Sequence, residues 1–405
     1  MSKNIAEIFN LQGLKVSNVS VSDQEIIIRA ELRKEYVKCP HCNRRSYTCY
    51  EKGKLRRIKH QYWGRKIVIL EGSHVRWWCK KCNRAFIEKW PQVQKWSRKT
   101  EEAKTQILTL LKNKSFRQLN EENRVTDREA RYILQKVDTS TNWDEERTQR
   151  KISIGIDEHS FRGRDLVITI TNLSKKRLKG ILPDDRQKTL KDYLRSIPKQ
   201  VVPRICEVCI DMKELFAKAI EQELPNSNIV VDHFHIIKDA NHRLEEARSI
   251  EKEVQKTKSI GKRWWFLMGR ERLDDKHKFL LDKILERYPN LREFYYFKEQ
   301  LRDFYKSKNK EVAAVFLSRI ILNMESSDDA AIYQWSKTLK HWRNYILNYF
   351  DRKTTNAYTE GSHTKIKMIK RLSYGFKNIN IYIRKMMIAF IPFAFLAGIN
   401  YPTIC

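Results

Sequence analysis

The sequence predicts a multidomain α/β protein on three observations. Two C-x-x-C pairs stand among short alternating strands near the start. From Ile152 the apolar pattern runs strand, strand, strand, helix, strand, helix, strand, which is a mixed order rather than pure βαβ alternation. The chain has 405 residues with only 12 Gly and 9 Pro. That is enough for two or three domains of about 150 residues each, and too few breakers for a disordered chain.

Lysine and arginine number 81 against 49 acidic residues, a formal charge of +32. Such a surplus predicts a polyanionic partner. The opening MSKNIAEIFNLQG lacks the charged-then-apolar run of a secretory signal, so a cytoplasmic protein with reduced cysteines is expected. The apolar stretch Met386 to Ile399, interrupted by Pro392, falls short of the roughly 20 residues a membrane span needs. It predicts a buried C-terminal helix and no membrane partner.

Residues 1–95 read as a β-rich unit built around Cys39, Cys42, Cys79 and Cys82. A two-residue spacing lets both sulfurs of a knuckle face one ion, so two knuckles supply a closed tetrahedral set for a structural Zn²⁺. Cys206 and Cys209 share the spacing but lie in a strand, where residues three apart point to opposite faces; they are expected to pack in the core. Arg44, Arg45, Arg56 and Arg57 surround the knuckles, with Tyr62, Trp63, Trp77 and Trp78 interleaved, a pattern suited to nucleic acid.

Residues 96–138 turn helical. Ser115 can cap a helix over 116–122, residues 123–125 can turn, and Thr126 can cap a second helix reaching Val137. This predicts a helix-turn-helix whose second helix offers Arg128, Arg131, Tyr132 and Gln135 to double-stranded DNA. The polar stretch 139–150 reads as a linker.

Residues 151–234 read as the first part of a large mixed α/β domain. In ISIGID, alternation puts Ile152, Ile154 and Ile156 on one face and Ser153, Gly155 and Asp157 on the other; ICEVCID places Asp211 at a second strand end. If these strands are parallel neighbours, their ends lie about 4.8 Å apart, within reach of shared hard cations. Asp232 ends the next strand and, with His235, is a possible supporting group. Residues 235–350 read as an all-helical insertion. Residues 351–405 bring the chain back to the core with a helix on which Glu360, the expected third carboxylate, shares a face with Thr364, Lys367 and Arg371. Lys367 and Arg371 are candidate DNA contacts.

GIDEHSFRGRD, VCIDMKELF, VVDHFHIIKDANHRLEEAR and TNAYTEGSHTKIKMIKRLSYGF resemble the transposases of the bacterial ISL3 insertion-sequence family over nearly the whole chain. The resemblance implies a zinc ribbon, a helix-turn-helix, and an RNase H-like catalytic domain interrupted by a helical insertion. It also implies an Asp-Asp-Glu triad at Asp157, Asp211 and Glu360. The sequence departs from many relatives in carrying Gly-Ser-His-Thr after Glu360 where they carry asparagine. The function expected is binding of terminal inverted repeats, hydrolytic DNA cleavage with Mg²⁺ or Mn²⁺, and joining of 3′-hydroxyl ends to target DNA, by a homodimer associated with the nucleoid. The rival is a transposase-derived DNA-binding protein without catalysis; a histidine-pair nuclease with a tyrosine nucleophile is a more distant one.

Overall fold

The computed structural model describes residues 2–11, 13–32, 34, 36–94, 97–139 and 143–391. They divide into two compact units, Met1–Thr139 with Ile366–Cys405 and Ser140–Lys365.

The first unit starts with α1 (Ser2–Ile8), β1 (Leu14–Val21), β2 (Glu25–Leu32), β3 (Val37–Lys38), β4 (Arg45–Ser46), β5 (Thr48–Trp63), β6 (Lys66–Cys79) and β7 (Arg84–Ile87). Five of these strands form one sheet in the order β1-β2-β6-β5, with β7 also on β6; only the β2–β6 pair is parallel. The long hairpin β5–β6 turns at Gly64, whose φ of +59° suits a residue without a side chain. Its strands of 16 and 14 residues are longer than the short strands expected, because three register shifts let β5 follow β6 without breaking the ladder. One face buries Ile28, Ala30, Ile58, Val68 and Leu70 against Phe9, Leu14 and Trp90. Gly72 is what lets Trp90 lie on the sheet, since a Cβ there would come within 2.4 Å of its ring.

Three helices follow: α2 (Glu101–Leu111), α3 (Phe116–Asn123) and α4 (Asp127–Gln135). Thr100, Ser115 and Thr126 cap them, Ser115 through a full capping box with Gln118. Arg124 adopts a left-handed conformation between α3 and α4, turning the chain sharply.

In the second unit the chain runs β8 (Ile152–Arg162), β9 (Asp165–Asn172), β10 (Arg177–Ile181), α5 (Gln187–Arg195), β11 (Ile205–Ile210), α6 (Glu214–Glu223) and β12 (Asn228–Val231). The sheet order is β10-β9-β8-β11-β12, with β8, β9 and β10 antiparallel and β8, β11 and β12 parallel. Then come α7 (His233–Val254), α8 (Arg263–Leu267), α9 (Asp275–Arg287), α10 (Pro289–Phe304), α11 (Lys310–Glu325), α12 (Ala330–Leu347), α13 (Tyr349–Arg352) and α14 (Ala357–Leu372), whose residues from Ile366 on belong to the first unit. One continuous apolar core runs from the β8–β12 sheet into this helical block, from Ile154 and Val208 to Phe266, Phe304 and Trp335.

Two stretches differ from the sequence reading. Within the supposed linker, residues 140–142 lie outside the described residues, but Trp143 and Glu146 are buried. Lys179 pairs with Glu146 at 2.9 Å and stands over the Trp143 ring, and Asn172 donates to the same carboxylate. A sequence that is polar on average can still supply two anchors. At the other end, α15 (Ile379–Phe390) belongs to the first unit, where Ile381 and Ile388 join the core of α2, α3 and α4. Residues 392–399 of the expected C-terminal helix lie outside the described residues. Among the described residues no helix is long and apolar enough to cross a membrane.

Candidate active site

Strand register builds the site. Gly155 on β8 is opposite Cys209 on β11, and Ile210 is opposite Val231 on β12. Two residues further on, the chain presents Asp157 and Asp211; one residue beyond β12 it presents Asp232. Asp211 and Asp232 therefore follow the carboxyl ends of β11 and β12, where open α/β sheets place their ligands. Asp157 lies just past the last parallel pair of β8, a strand that runs on to Arg162 against β9 instead of ending at the aspartate as the sequence suggested. Ile152, Ile154 and Ile156 are fully buried on the opposite face, as alternation requires.

The fourth acid comes from a helix held unusually close to the sheet. A Cβ on Gly155 would lie 2.2 Å from Asn356 Oδ1 and 2.5 Å from Thr359 Oγ1. In that gap Asn356 donates to the Ile156 carbonyl at 3.3 Å, and the hydroxyls of Thr359 and Thr171 share a hydrogen bond of 2.6 Å. Thr359 also donates to Asn356. The next residue of α14 is Glu360, so the bare backbone of Gly155 sets how near that carboxylate comes.

His235, in the first turn of α7, lies at the centre. Its Nδ1 is 2.8 Å from Asp211 Oδ2 and its Nε2 is 3.4 Å from Glu360 Oε1. Donor atoms of Asp157, Asp211 and His235 lie within 4.8 Å of one another, as do those of Asp232, His235 and Glu360. The three predicted acids thus fall into two groups that share His235, Asp157 with Asp211 in one and Glu360 with Asp232 in the other. Asp232 also caps α7, accepting from Phe234 N.

The electrostatics suit a cation. Burial, and next the negative charge of Asp211, push the Asp157 carboxyl up to about 7. Burial opposes protonation of His235, but Asp211, Asp157 and Asp232 outweigh it and raise its pKa. Among the described residues, Asp211 Oδ1 is buried and has no hydrogen-bond partner. Several acids crowded together with an unsatisfied oxygen fit a hard divalent ion of the Mg²⁺ or Mn²⁺ type. Glu158 is withdrawn from this set by an ion pair with Lys213, which also reaches Asp185 at 3.2 Å.

Sequence reasoning gave no role to His363. Its Nδ1 is 3.3 Å from Asp157 Oδ2, and its ring packs 4.6 Å from that of His159, whose Nδ1 pairs with Thr169. The available signal was spacing: three residues after Glu360 on a helix falls on nearly the same side. Ser362 is also buried, bonded to the Tyr358 carbonyl.

The other predicted residues are placed as follows. Cys39 and Cys82 have sulfurs 3.5 Å apart, Cys42 and Cys79 3.6 Å, and Cys79 and Cys82 3.5 Å. A tetrahedral ion with Zn–S of about 2.3 Å needs sulfurs about 3.8 Å apart, so the four thiols fit zinc. Each knuckle is followed by an asparagine in the left-handed region, Asn43 and Asn83, which closes the turn. Cys209 is buried, Cys206 partly so. On α4, Arg128 and Gln135 are exposed, whereas Arg131 pairs with Asp127 at 2.7 Å and stacks over Phe116. On α14, Lys367 and Arg371 are exposed while Ile366 and Ile369 are buried.

A profile of the ISL3 transposases, described as "Transposase", matches residues 154–386, more than half of the chain. The chain belongs to the ISL3 family of transposases. The transposase for insertion sequence element IS1001 of Bordetella parapertussis is 21% identical over 369 residues, 87% of this chain and 88% of that relative. The transposase for insertion sequence element IS1557 of Mycobacterium tuberculosis is 22% identical over 263 residues, 58% and 59% of the two chains. The family match covers all the carboxylates described above, so the sheet-end cluster lies within the part shared with other ISL3 transposases.

Proposed function

We propose that this transposase is of the Asp-Asp-Glu type. It binds the terminal inverted repeats of its element, cleaves DNA by metal-dependent hydrolysis, and joins the freed 3′-hydroxyl to target DNA. The observation that carries this reading is the convergence of Asp157, Asp211 and Glu360 on His235, beside β8 and beyond the carboxyl ends of β11 and β12. Three antiparallel strands followed by two parallel ones, with a helix returning over the first strand, support an RNase H-like domain.

Asp157, Asp211 and Glu360 would hold the divalent ions, with Asp232 beside them. Mg²⁺ or Mn²⁺ at such a cluster supplies Lewis acidity toward a phosphodiester. The protein's own contribution is placement. His235 fixes one oxygen of Asp211, His363 contacts Asp157, and the Gly155 gap seats Glu360. Lys213 neutralises Glu158 and keeps it out of the cluster. Lys367 and Arg371, on the exposed side of α14, supply positive charge for DNA phosphates. No nucleophilic side chain is needed, because water opens the first phosphodiester and the resulting 3′-hydroxyl attacks the second. The capped pair α3–α4 fits a helix-turn-helix, with Arg128 and Gln135 the exposed polar groups on its second helix. Two element ends must be held at once, which favours a homodimer.

The test is cleavage of labelled DNA carrying the element's own end, with Mg²⁺ or Mn²⁺. The full chain should nick and join it, and Asp157→Asn should still bind the end but do neither. Native-rate cleavage by Asp157→Asn would remove the carboxylates from the mechanism.

A further inference from the structure

The zinc-bearing end of the first unit carries a groove of about 1060 Å³ between β1, β2, β3 and β7. This is at the upper limit of pockets built for one small molecule, about 300–1,000 Å³. Its floor is apolar, from Leu32, Val37, Phe86 and Ile87, while Lys15, Lys34, Lys38 and Lys89 also line it. The described acid in the lining, Glu88, is buried; it pairs with Lys34 at 3.1 Å and accepts from the Trp77 indole. Lys15, Lys38 and Lys89 have no ion pair among the described residues, so the described lining carries a positive surplus. Tyr36 forms part of the wall, with the Arg45 guanidinium 4.5 Å over its ring. Tyr47 leans against Tyr36 at 5.6 Å and is 63% exposed.

We propose that this groove binds a DNA strand with unpaired bases, phosphates on the lysines and bases against the apolar floor and the Tyr36–Tyr47 pair. Charge complementarity identifies the occupant as a polyanion, and the floor says which kind. In a duplex the bases are stacked inside and offer no flat apolar surface to a floor of Leu, Val, Phe and Ile. A single strand offers both surfaces at once, and aromatic stacking with a basic lining is how sequence-tolerant single-strand sites are built. The inference rests on the proposed DNA processing for the source of such strands, since opened or cleaved element ends expose unpaired nucleotides. Binding itself needs none of the carboxylates.

The experiment measures affinity of the zinc-loaded full chain for a fluorescent thymidine oligomer of about 12 nucleotides and for a duplex of the same length. Tyr47→Ala should weaken the single strand about ten-fold and the duplex less than about two-fold, and Tyr47→Trp, which keeps a stacking face, should restore it. Replacing Lys38 and Lys89 by Gln should flatten the salt dependence of single-strand binding by about 0.7 per lysine. Unchanged single-strand affinity in both variants would overturn the proposal, as would an equal loss for single strand and duplex, which marks a plain phosphate surface. The same titration with Asp157→Asn separates the two claims: single-strand binding should persist there whether or not cleavage depends on that carboxylate.

Discussion

His363 Nδ1 lies 3.3 Å from Asp157 Oδ2, joining a helix residue to a carboxylate midway along the central strand. Both groups are buried, and leaving a buried polar partner unsatisfied costs about 1–3 kcal/mol. His363→Ala should lower the cleavage rate by about ten-fold or more while end binding is kept, and His363→Asn, which retains a donor, should recover part of it. Equal rates for Ala and native protein would show that Asp157 is placed without this contact.

Asp211→Asn and Glu360→Gln should each abolish cleavage and joining, and the double variant should be no slower than either alone, because the group works as one unit. Asp232→Asn provides the contrast. Residual activity fits a group that caps α7 and lies beside the cluster, and complete loss would make it a ligand.

Gly155→Ala places a methyl 2.2 Å from Asn356 Oδ1 and 2.8 Å from Thr171 Oγ1. Overpacking of this kind costs about 1–3 kcal/mol, and relief requires α14 to move off the sheet, taking Glu360 from His235. A lower melting temperature together with lost cleavage is expected. Normal cleavage in a destabilised protein would uncouple this gap from the position of Glu360.

Metal analysis of the native chain should find about one zinc, held by Cys39, Cys42, Cys79 and Cys82. Cys39→Ser should release it and loosen the small core of Val37, Trp77 and Phe86, read as a shift in tryptophan emission. Retention of stoichiometric zinc by Cys39→Ser would rule out that ligand.

Lys385 is buried in the first unit, donating to the Lys114 carbonyl and to Ser373 Oγ. Burial, and next the charge of Arg131, lower its pKa from 10.5 to about 8. Between those values the unfolded chain binds the extra proton, so folding stability from this group rises as pH increases from about 8 to 10.5, by up to about 1.4 kcal/mol per pH unit. Below pH 8 both states are protonated and the cost of burying the charge is constant. The difference in urea midpoint between native protein and Lys385→Met should change across that window, and a flat difference would show an unperturbed lysine.

What was legible in the sequence had local periodicity or fixed spacing. The strands of ISIGID and ICEVCID, the capped helices at Ser115 and Thr126, and the paired cysteines all declare themselves within a few residues. What was not legible depended on distant partners. Trp143 and Glu146 look like linker until Lys179 and Asn172 are beside them. Arg131 looks free to meet DNA until Asp127 and Phe116 engage it. The gathering of the carboxylates around His235 follows from a parallel register that composition does not encode, and from a glycine whose value appears only once α14 is laid on it.

The helical block α7–α13 separates Asp232 from Glu360 along the chain, although His235 brings the two side chains together in space. During synthesis, a chain that has emerged only as far as α12 already displays Asp157, Asp211 and Asp232 but has no Glu360. Closing so long an excursion is slow compared with forming local helices. On the proposed mechanism, therefore, fragments that end before α14 cannot cleave DNA, and breakage is confined to chains that have been completed through α14 and folded.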